Sequence, residues 1–173
     1  QFTKLDITGL EKIKLKFVED KLQNYIGSSI FLLPLDQIID SIKENNWVKE
    51  IYLNTNYKDT LFIRIEEYKP IGIYFFNEKY FVFDENGKII DQIYITDFTH
   101  QSLLIFKGNS SNLKANPLIN ILKNNDFEKK YQIESVEFIN KRRWNINLYG
   151  DVKLKLSEED PNKSIQNFIM IQN

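Results

Sequence analysis

The chain has no cysteine and one histidine in its 173 residues. Without a thiol it can form no disulfide, use no thiolate nucleophile and bind no zinc through sulfur. The single imidazole, that of His100, cannot build a metal centre from several histidines. Glycine is scarce as well, with six residues and none in a phosphate-binding loop. We therefore expect no metal and no cofactor.

A strong charge excess and a long apolar run are also missing. The formal net charge is -1, which supplies no basic field for a phosphate backbone, so we expect no nucleic-acid partner. No apolar run reaches the roughly 18 residues that span a bilayer. The 42% of hydrophobic and 27% of charged residues are typical of a globular protein. Because the chain starts at Gln1 rather than methionine, we expect a targeting segment upstream of it.

The chain before Pro70 changes its hydrophobic period several times. Apolar residues at every second position predict strands, and apolar residues at steps of three and four predict amphipathic helices. The predicted elements are a strand at 2–7 closed by Gly9, helices at 13–25 and 34–43, and a hairpin of strands at 47–53 and 60–65. Trp47 is expected in the core. The order β-α-α-β-β predicts a three-stranded sheet with two helices packed on one face.

After Pro70 the pattern is mostly that of strands. The predicted strands lie at 71–76, 79–83, 103–106, 131–139, 144–149 and 152–156, with helices at 116–124 and from Pro161 onward. Asn86-Gly87 predicts a tight hairpin turn because both residues tolerate positive φ. Asn116 and Asp160 are predicted as helix caps, each followed by proline at the first helical position. Proline interrupts ladder pairing, so we place the boundary at residues 69–70, which gives domains 1–69 and 70–173.

No residues form a convincing catalytic pattern. Glu66 and Glu67 are adjacent on a predicted strand, so their side chains point to opposite faces and cannot flank one bond. We predict both to be solvated charges at the strand end. His100 is predicted to be a loop or surface residue, because no serine near it lies in a nucleophile-elbow motif. These serines are Ser102, Ser110 and Ser111.

The segment Arg142-Arg143-Trp144 is the candidate for a partner-binding site. Arginine and tryptophan are over-represented among the residues that carry binding energy, which favours an exposed anchor. The alternative is a charged strand entry followed by a tryptophan of the core. The sequence pattern fits both interpretations.

A series of short motifs follows in one order along the chain. They are IFLLPL at 30–35, NWVKE at 46–50, KDTL at 58–61, EEYKPI at 66–71, KYFVFD at 79–84 with NGKI at 86–89, LLIFKG at 103–108, RRWNINL at 142–148 and KLKL at 153–156. In this order they resemble the POTRA domain and the β domain of the FtsQ/DivIB family of bacterial cell-division proteins. The chain departs from the family pattern at Lys58, Gly72 and Tyr74, where proline, alanine and tryptophan are common, and at Leu104 and Phe106.

The resemblance implies an α+β fold, in which a POTRA domain precedes an FtsQ-type β domain with flanking helices. It also implies a non-enzymatic scaffold of the divisome that binds FtsB and FtsL through the β domain and other division proteins through the POTRA domain. In the family, FtsB adds a strand to an exposed sheet edge. We expect the main contact strand beyond Asn173, and a single membrane helix upstream. That helix would hold this region in the periplasm or extracytoplasmic space, at the inner membrane of the division site.

Two other functions remain open at the level of sequence. A POTRA-bearing component of outer-membrane assembly or secretion would require further POTRA repeats or a barrel pattern, which the chain does not show. A hydrolase would have to use its carboxylates or His100.

Overall fold

The structure, a computed structural model of the chain, describes residues 1–94, 96 and 103–172. It divides into two compact units, Gln1–Tyr68 and Lys69–Asn173. Within these described ranges no helix combines the length and apolar character needed to cross a membrane.

The first unit is a three-stranded sheet with two helices. Its strands are β1 (Lys4–Thr8), β2 (Val48–Thr55) and β3 (Thr60–Glu67), and its helices are α1 (Leu15–Leu22) and α2 (Leu35–Lys43). The strand order is β1-β3-β2, with β1 parallel and β2 antiparallel to β3. Leu61, Ile63 and Ile65, every second residue of β3, are buried against Val18 of α1 and Ile38 of α2. The predicted β-α-α-β-β unit with both helices on one face is confirmed.

Two details of this unit differ from the predictions. The first helix is shorter than predicted and begins at Leu15, because Ile13 is buried outside the helix and its N–H is bonded elsewhere. After Leu22 the chain continues as a short 3-10 turn. Trp47 precedes β2 and is half-buried against the core. Its backbone N–H donates to Asn45 Oδ1 at 3.0 Å.

The prediction that Glu67 is solvated is wrong. Its side chain is buried, and its carboxylate accepts the backbone N–H groups of Glu11 (2.9 Å), Lys12 (2.8 Å) and Ile13 (3.0 Å). Three consecutive donors compensate the desolvation of a buried charge. Glu66 is exposed and pairs with Lys49 at 3.3 Å, as predicted for a surface charge. Glu67 therefore joins the loop before α1 to the last residue of β3.

The second unit is a seven-stranded sheet with helices on one face. Its strands are β4 (Gly72–Phe76), β5 (Lys79–Phe83), β6 (Ile89–Ile93), β7 (Ile105–Lys107), β8 (Ile133–Ile139), β9 (Arg143–Leu148) and β10 (Val152–Lys155). Their order is β10-β9-β8-β7-β4-β5-β6. Helices α3 (Ser111–Asn124), α4 (Phe127–Lys130) and α5 (Pro161–Gln172) complete it. Leu118, Leu122 and Ile165 of the helices share one core with Phe106 and Trp144 of the sheet.

The hairpin at Asn86-Gly87 is confirmed, but its turn differs from the prediction. Only Gly87 has positive φ, at 80°. The Asp84 carboxylate accepts the N–H groups of Asn86 (2.9 Å) and Lys88 (2.8 Å), which fixes a wider turn. Two adjacent residues of positive φ occur instead at Asn77 and Glu78, between β4 and β5.

The start of α3 is also different from the prediction. The helix begins at Ser111, so Asn116 is not its cap and Pro117 lies inside it. Proline removes the N–H that would bond to the carbonyl of Leu113, an exposed residue whose carbonyl can bond water instead. The predicted start of α5 is confirmed, because Asp160 Oδ1 accepts the N–H of Lys163 at 2.8 Å and Pro161 is the first helical residue.

We expect the Glu67→Ala variant to lower the free energy of unfolding of the first unit by about 2–4 kcal/mol, because it leaves three backbone donors without their acceptor. Glu66→Ala, the matched control on the opposite face, should change it by no more than about 0.5 kcal/mol. Urea unfolding followed by Trp47 fluorescence in a Trp144→Phe background measures this unit alone. Equal effects of the two substitutions would contradict the assigned role of Glu67.

Candidate partner-binding site

Arg142 and Arg143 lie at the tip of the hairpin between β8 and β9. Asn140 and Lys141 both have positive φ, 51° and 56°, and the N–H of Arg142 donates to the carbonyl of Ile139 at 3.1 Å. This tight turn projects both arginines from the end of the sheet. Their side chains are exposed. Arg142 Nε lies 3.9 Å from a carboxylate oxygen of Glu158, a long and solvent-screened pair.

Trp144 is not an exposed anchor, which corrects part of the predicted site. It is 7% exposed and belongs to the core of the second unit. Its ring lies 4.4 Å from that of Phe138 and 5.8 Å from that of Phe106, centroid to centroid. Successive strand residues point to opposite faces, so Arg143 faces solvent while Trp144 faces the helices. For Trp144 the alternative interpretation of the sequence therefore holds.

Strand β10 forms one edge of the sheet, next to the arginines. Its neighbour is β9, and it has no second neighbour among the residues that the structure describes. The N–H of Leu156 donates to the carbonyl of Trp144 at 2.9 Å, so by alternation the backbone groups of Leu154 and Val152 also face β9. The backbone groups of Lys153 and Lys155 therefore point away from the sheet, toward the space that an added strand would occupy.

Side chains on the face opposite the helices connect the last three strands. Asn147 Nδ2 on β9 donates to Ser135 Oγ on β8 at 3.0 Å. Lys153 Nζ on β10 pairs with Glu137 on β8 at 3.4 Å. The Asn147–Ser135 bond thus joins β9 to β8, and the Lys153–Glu137 pair joins the edge strand β10 to β8. The buried Asn145 Oδ1 accepts no hydrogen bond within the described part of the chain.

Two cavities border this region. One, of about 310 Å³, lies beside the two arginines and Glu158 and is also lined by Ile139 and Leu156. The other, of about 540 Å³, lies at the opposite end of β8; burial raises the pKa of its Glu128, and Lys123 opposes the shift. The remaining residues around this second cavity are Leu103, Leu104, Tyr131, Gln132, Ile133 and Tyr149. A single carboxylate among these residues makes no general acid and base pair.

Of the histidine and serines considered for the hydrolase alternative, the structure describes Ser110 and Ser111. His100 and Ser102 lie outside the described residues. Ser110 donates its hydroxyl to Asn109 Oδ1 at 2.9 Å, and Ser111 is fully buried with its Oγ unpartnered within the described ranges. Residues 1–94, 96 and 103–172 contain no group of three or more His, Cys, Asp or Glu side chains placed to hold a metal.

The sequence interpretation did not include Lys153 and Lys155 in the candidate site. Their alternation with Val152 and Leu154 was the sequence feature that could have indicated an edge strand. Lysines at every second position of a strand are typical of a sheet edge. The edge itself became visible only with the strand order, since β10 could have been followed by another strand or covered by a loop.

Comparison with known proteins assigns both units. The profile of the FtsQ-type POTRA domain matches residues 1–68, and that of the C-terminal domain of the cell division protein FtsQ/DivIB matches residues 74–173. "Cell division protein FtsQ" of Rickettsia bellii is 36% identical over 135 residues, which are 75% of this chain and 47% of the relative. "Cell division protein DivIB" of Macrococcus caseolyticus is 25% identical over 138 residues, 80% of this chain and 46% of that protein.

The chain spans about half the length of the curated relatives that it matches. Among solved structures, the extracytoplasmic domain of DivIB from Geobacillus stearothermophilus matches with a TM-score of 0.39 and 10% identity. That match covers 61% of this chain and 92% of the other.

We expect Trp144→Ala to lower the free energy of unfolding by about 3–5 kcal/mol, because it empties an aromatic site between Phe106 and Phe138. Arg143→Ala, one residue away on the solvent face, should change it by no more than about 0.5 kcal/mol. Urea unfolding followed by far-ultraviolet circular dichroism measures both. A stable Trp144→Ala protein would contradict the placement of this ring in the core.

Proposed function

Because the chain belongs to the FtsQ/DivIB family of bacterial cell-division proteins, we propose that it acts as a non-enzymatic scaffold of the divisome. Its second unit binds FtsB and FtsL, and its first unit recruits other division proteins. A membrane helix upstream of Gln1 anchors the protein in the inner membrane, and both units lie in the periplasm or extracytoplasmic space at the division site.

The observation that carries this proposal is the edge of β10, which has no second neighbour among the described residues and lies beside two exposed arginines. An edge strand offers backbone donors and acceptors at a fixed spacing, so an extended partner segment gains affinity by pairing with it. The backbone N–H and C=O groups of Lys153 and Lys155 point away from β9 and are the groups with which an added strand would form hydrogen bonds. A scaffold needs this kind of surface, which requires no catalytic group.

The arginines add selectivity to backbone pairing. A guanidinium recognises a carboxylate through two parallel hydrogen bonds, so a partner segment with an acidic residue at the matching position binds more tightly. Arg143 has no ion pair within the described residues, and Arg142 has only the long contact with Glu158. Both guanidinium groups can therefore pair with a carboxylate of a partner without first breaking a strong ion pair. Trp144 contributes indirectly, since its packing holds the strand that begins at Arg143.

The family match of the second unit favours the division role over outer-membrane assembly or secretion. A POTRA-type first unit alone fits either process. Residues 74–173, however, match the C-terminal domain that defines FtsQ/DivIB. This supports a POTRA unit joined to a partner-binding domain.

A fluorescent fusion of the complete reading frame should form a midcell band that sharpens during constriction, because a divisome scaffold is recruited there. Fluorescence microscopy of dividing cells measures the distribution, with the fluorescent protein fused to the membrane anchor alone as control. A uniform envelope signal would overturn the division role and favour envelope assembly or secretion.

Titration should show weak or no binding of FtsB to residues 1–173, because the β10 edge and the arginines supply only part of the contact surface and the main contact strand is expected beyond Asn173. The complete extracytoplasmic region should bind FtsB, and Arg143→Glu should weaken that binding by about tenfold or more through loss of a charge-assisted contact. Lys114→Glu makes the same charge change on exposed α3 and should leave affinity unchanged. Equal effects of both variants would remove Arg143 from the proposed site.

A further inference from the structure

The first unit exposes four large apolar side chains in two loops. Ile26, Phe31, Leu32 and Tyr57 are 59%, 72%, 81% and 69% exposed, and we call them the apolar end. Side chains this exposed protrude into solvent instead of lying flat on the unit. Their clustering is unusual, since single exposed apolar residues are common but contiguous ones mark interaction sites.

The described contacts place the two loops that carry these residues on either side of the start of β1. The rings of Phe31 and Tyr57 stack with centroids 6.1 Å apart. Gly27, beside Ile26, donates its N–H to the carbonyl of Phe2 at 2.7 Å, and Thr3 donates to the carbonyl of Asp59 at 2.9 Å. The loop at 26–33 and the loop at 54–60 therefore flank the residues where the chain enters the unit.

The charge of this region is slightly positive. Residues 26–33 contain no charged side chain, and residues 54–60 contain Lys58 and Asp59. Asp59 is paired with Lys4 at 2.9 Å, and this lysine, with Asn56 and Thr60, holds the pKa of Asp59 well below its usual range. Lys58 is exposed and has no ion pair within the described residues. The loops thus present protruding apolar groups with one uncompensated cation.

We propose that the apolar end inserts into the headgroup region of an anionic lipid bilayer. Exposed aromatic and aliphatic side chains gain free energy in the interfacial layer, and a nearby lysine is attracted to anionic headgroups. Paired Asp59 adds little repulsion. A protein-binding surface would instead combine apolar groups with polar groups that form hydrogen bonds across the interface.

The direction of the chain supports a lipid surface as the occupant. Phe2 is fixed between the two loops, so any segment that precedes Gln1 leaves the unit at the apolar end. The curated relatives are about twice as long as the matched region. The inference rests on the proposed function in one respect: an upstream membrane helix would tether this end to the bilayer, which raises its local concentration there.

Vesicle co-sedimentation of the 173-residue protein tests the proposal. The protein should bind vesicles of phosphatidylethanolamine and phosphatidylglycerol at millimolar lipid, and bind phosphatidylcholine vesicles less. A Phe31→Asp, Leu32→Asp double variant should lower the partition coefficient by about tenfold or more, since it removes two inserting side chains. Leu15→Asp is the matched control, because Leu15 is exposed but follows the opposite end of β1. It should bind like the parent protein.

A Phe31→Trp variant provides a second readout that tolerates small losses of stability. Its additional emission, relative to the parent protein, should shift to the blue with anionic vesicles and be quenched by brominated lipid chains. Absence of binding, or equal binding by the double variant, would overturn the proposal. So would a dimer in sedimentation equilibrium that the double variant dissociates, because the apolar end would then bind a second copy. The vesicle assay contains no division protein, so intact vesicle binding together with failed FtsB binding by the complete extracytoplasmic region would count against the scaffold alone.

Discussion

The two-residue alternation of side chains along strands determines which residues of β3 and β9 face solvent and which are buried. On β3 it turns Glu66 to solvent and Glu67 into the unit, where three backbone donors hold its carboxylate. On β9 it turns Arg143 to solvent and Trp144 into the aromatic core. Residues that are adjacent in sequence thus lie on opposite faces of the sheet and have different roles. A shift of one residue in the register of β9 would bury a guanidinium and expose an indole.

Elements with a strong local period could be predicted from sequence, whereas features set by distant residues could not. The first unit and the start of α5 follow from hydrophobic spacing and from Asp160-Pro161. The role of Glu67 could not be predicted, because its donors are more than fifty residues away in sequence. The start of α3 was predicted too late in the chain, because proline commonly marks the first turn of a helix. Here the helix begins six residues before Pro117, where Ser111 and Ala115 are buried. At the candidate site, the exposure of both arginines agrees with the sequence interpretation, whereas the strand edge could be recognised only from the order of the sheet.

The departures from the family pattern can be understood by packing. Where alanine is common, Gly72 leaves space for two rings: a Cβ there would lie 2.6 Å from Phe83 and 2.9 Å from Phe106. Phe106, itself a departure, fills the centre of the core between Phe83 and Trp144. The rings of Phe83 and Phe106 therefore occupy space that the missing side chain of Gly72 leaves free, and Phe106 lies on β7, the parallel neighbour of β4.

The open edge of β10 poses a physical problem that its own residues solve only in part. Lysines at an edge normally discourage pairing with other chains, because a second strand would have to desolvate them. Here Lys153 is drawn onto Glu137, on the face opposite the helices, which reduces its charge at the edge. Backbone pairing with β9 meanwhile fixes the register of β10. An edge of this kind, with backbone groups directed outward and one of its lysines paired elsewhere, favours occupation by an added strand.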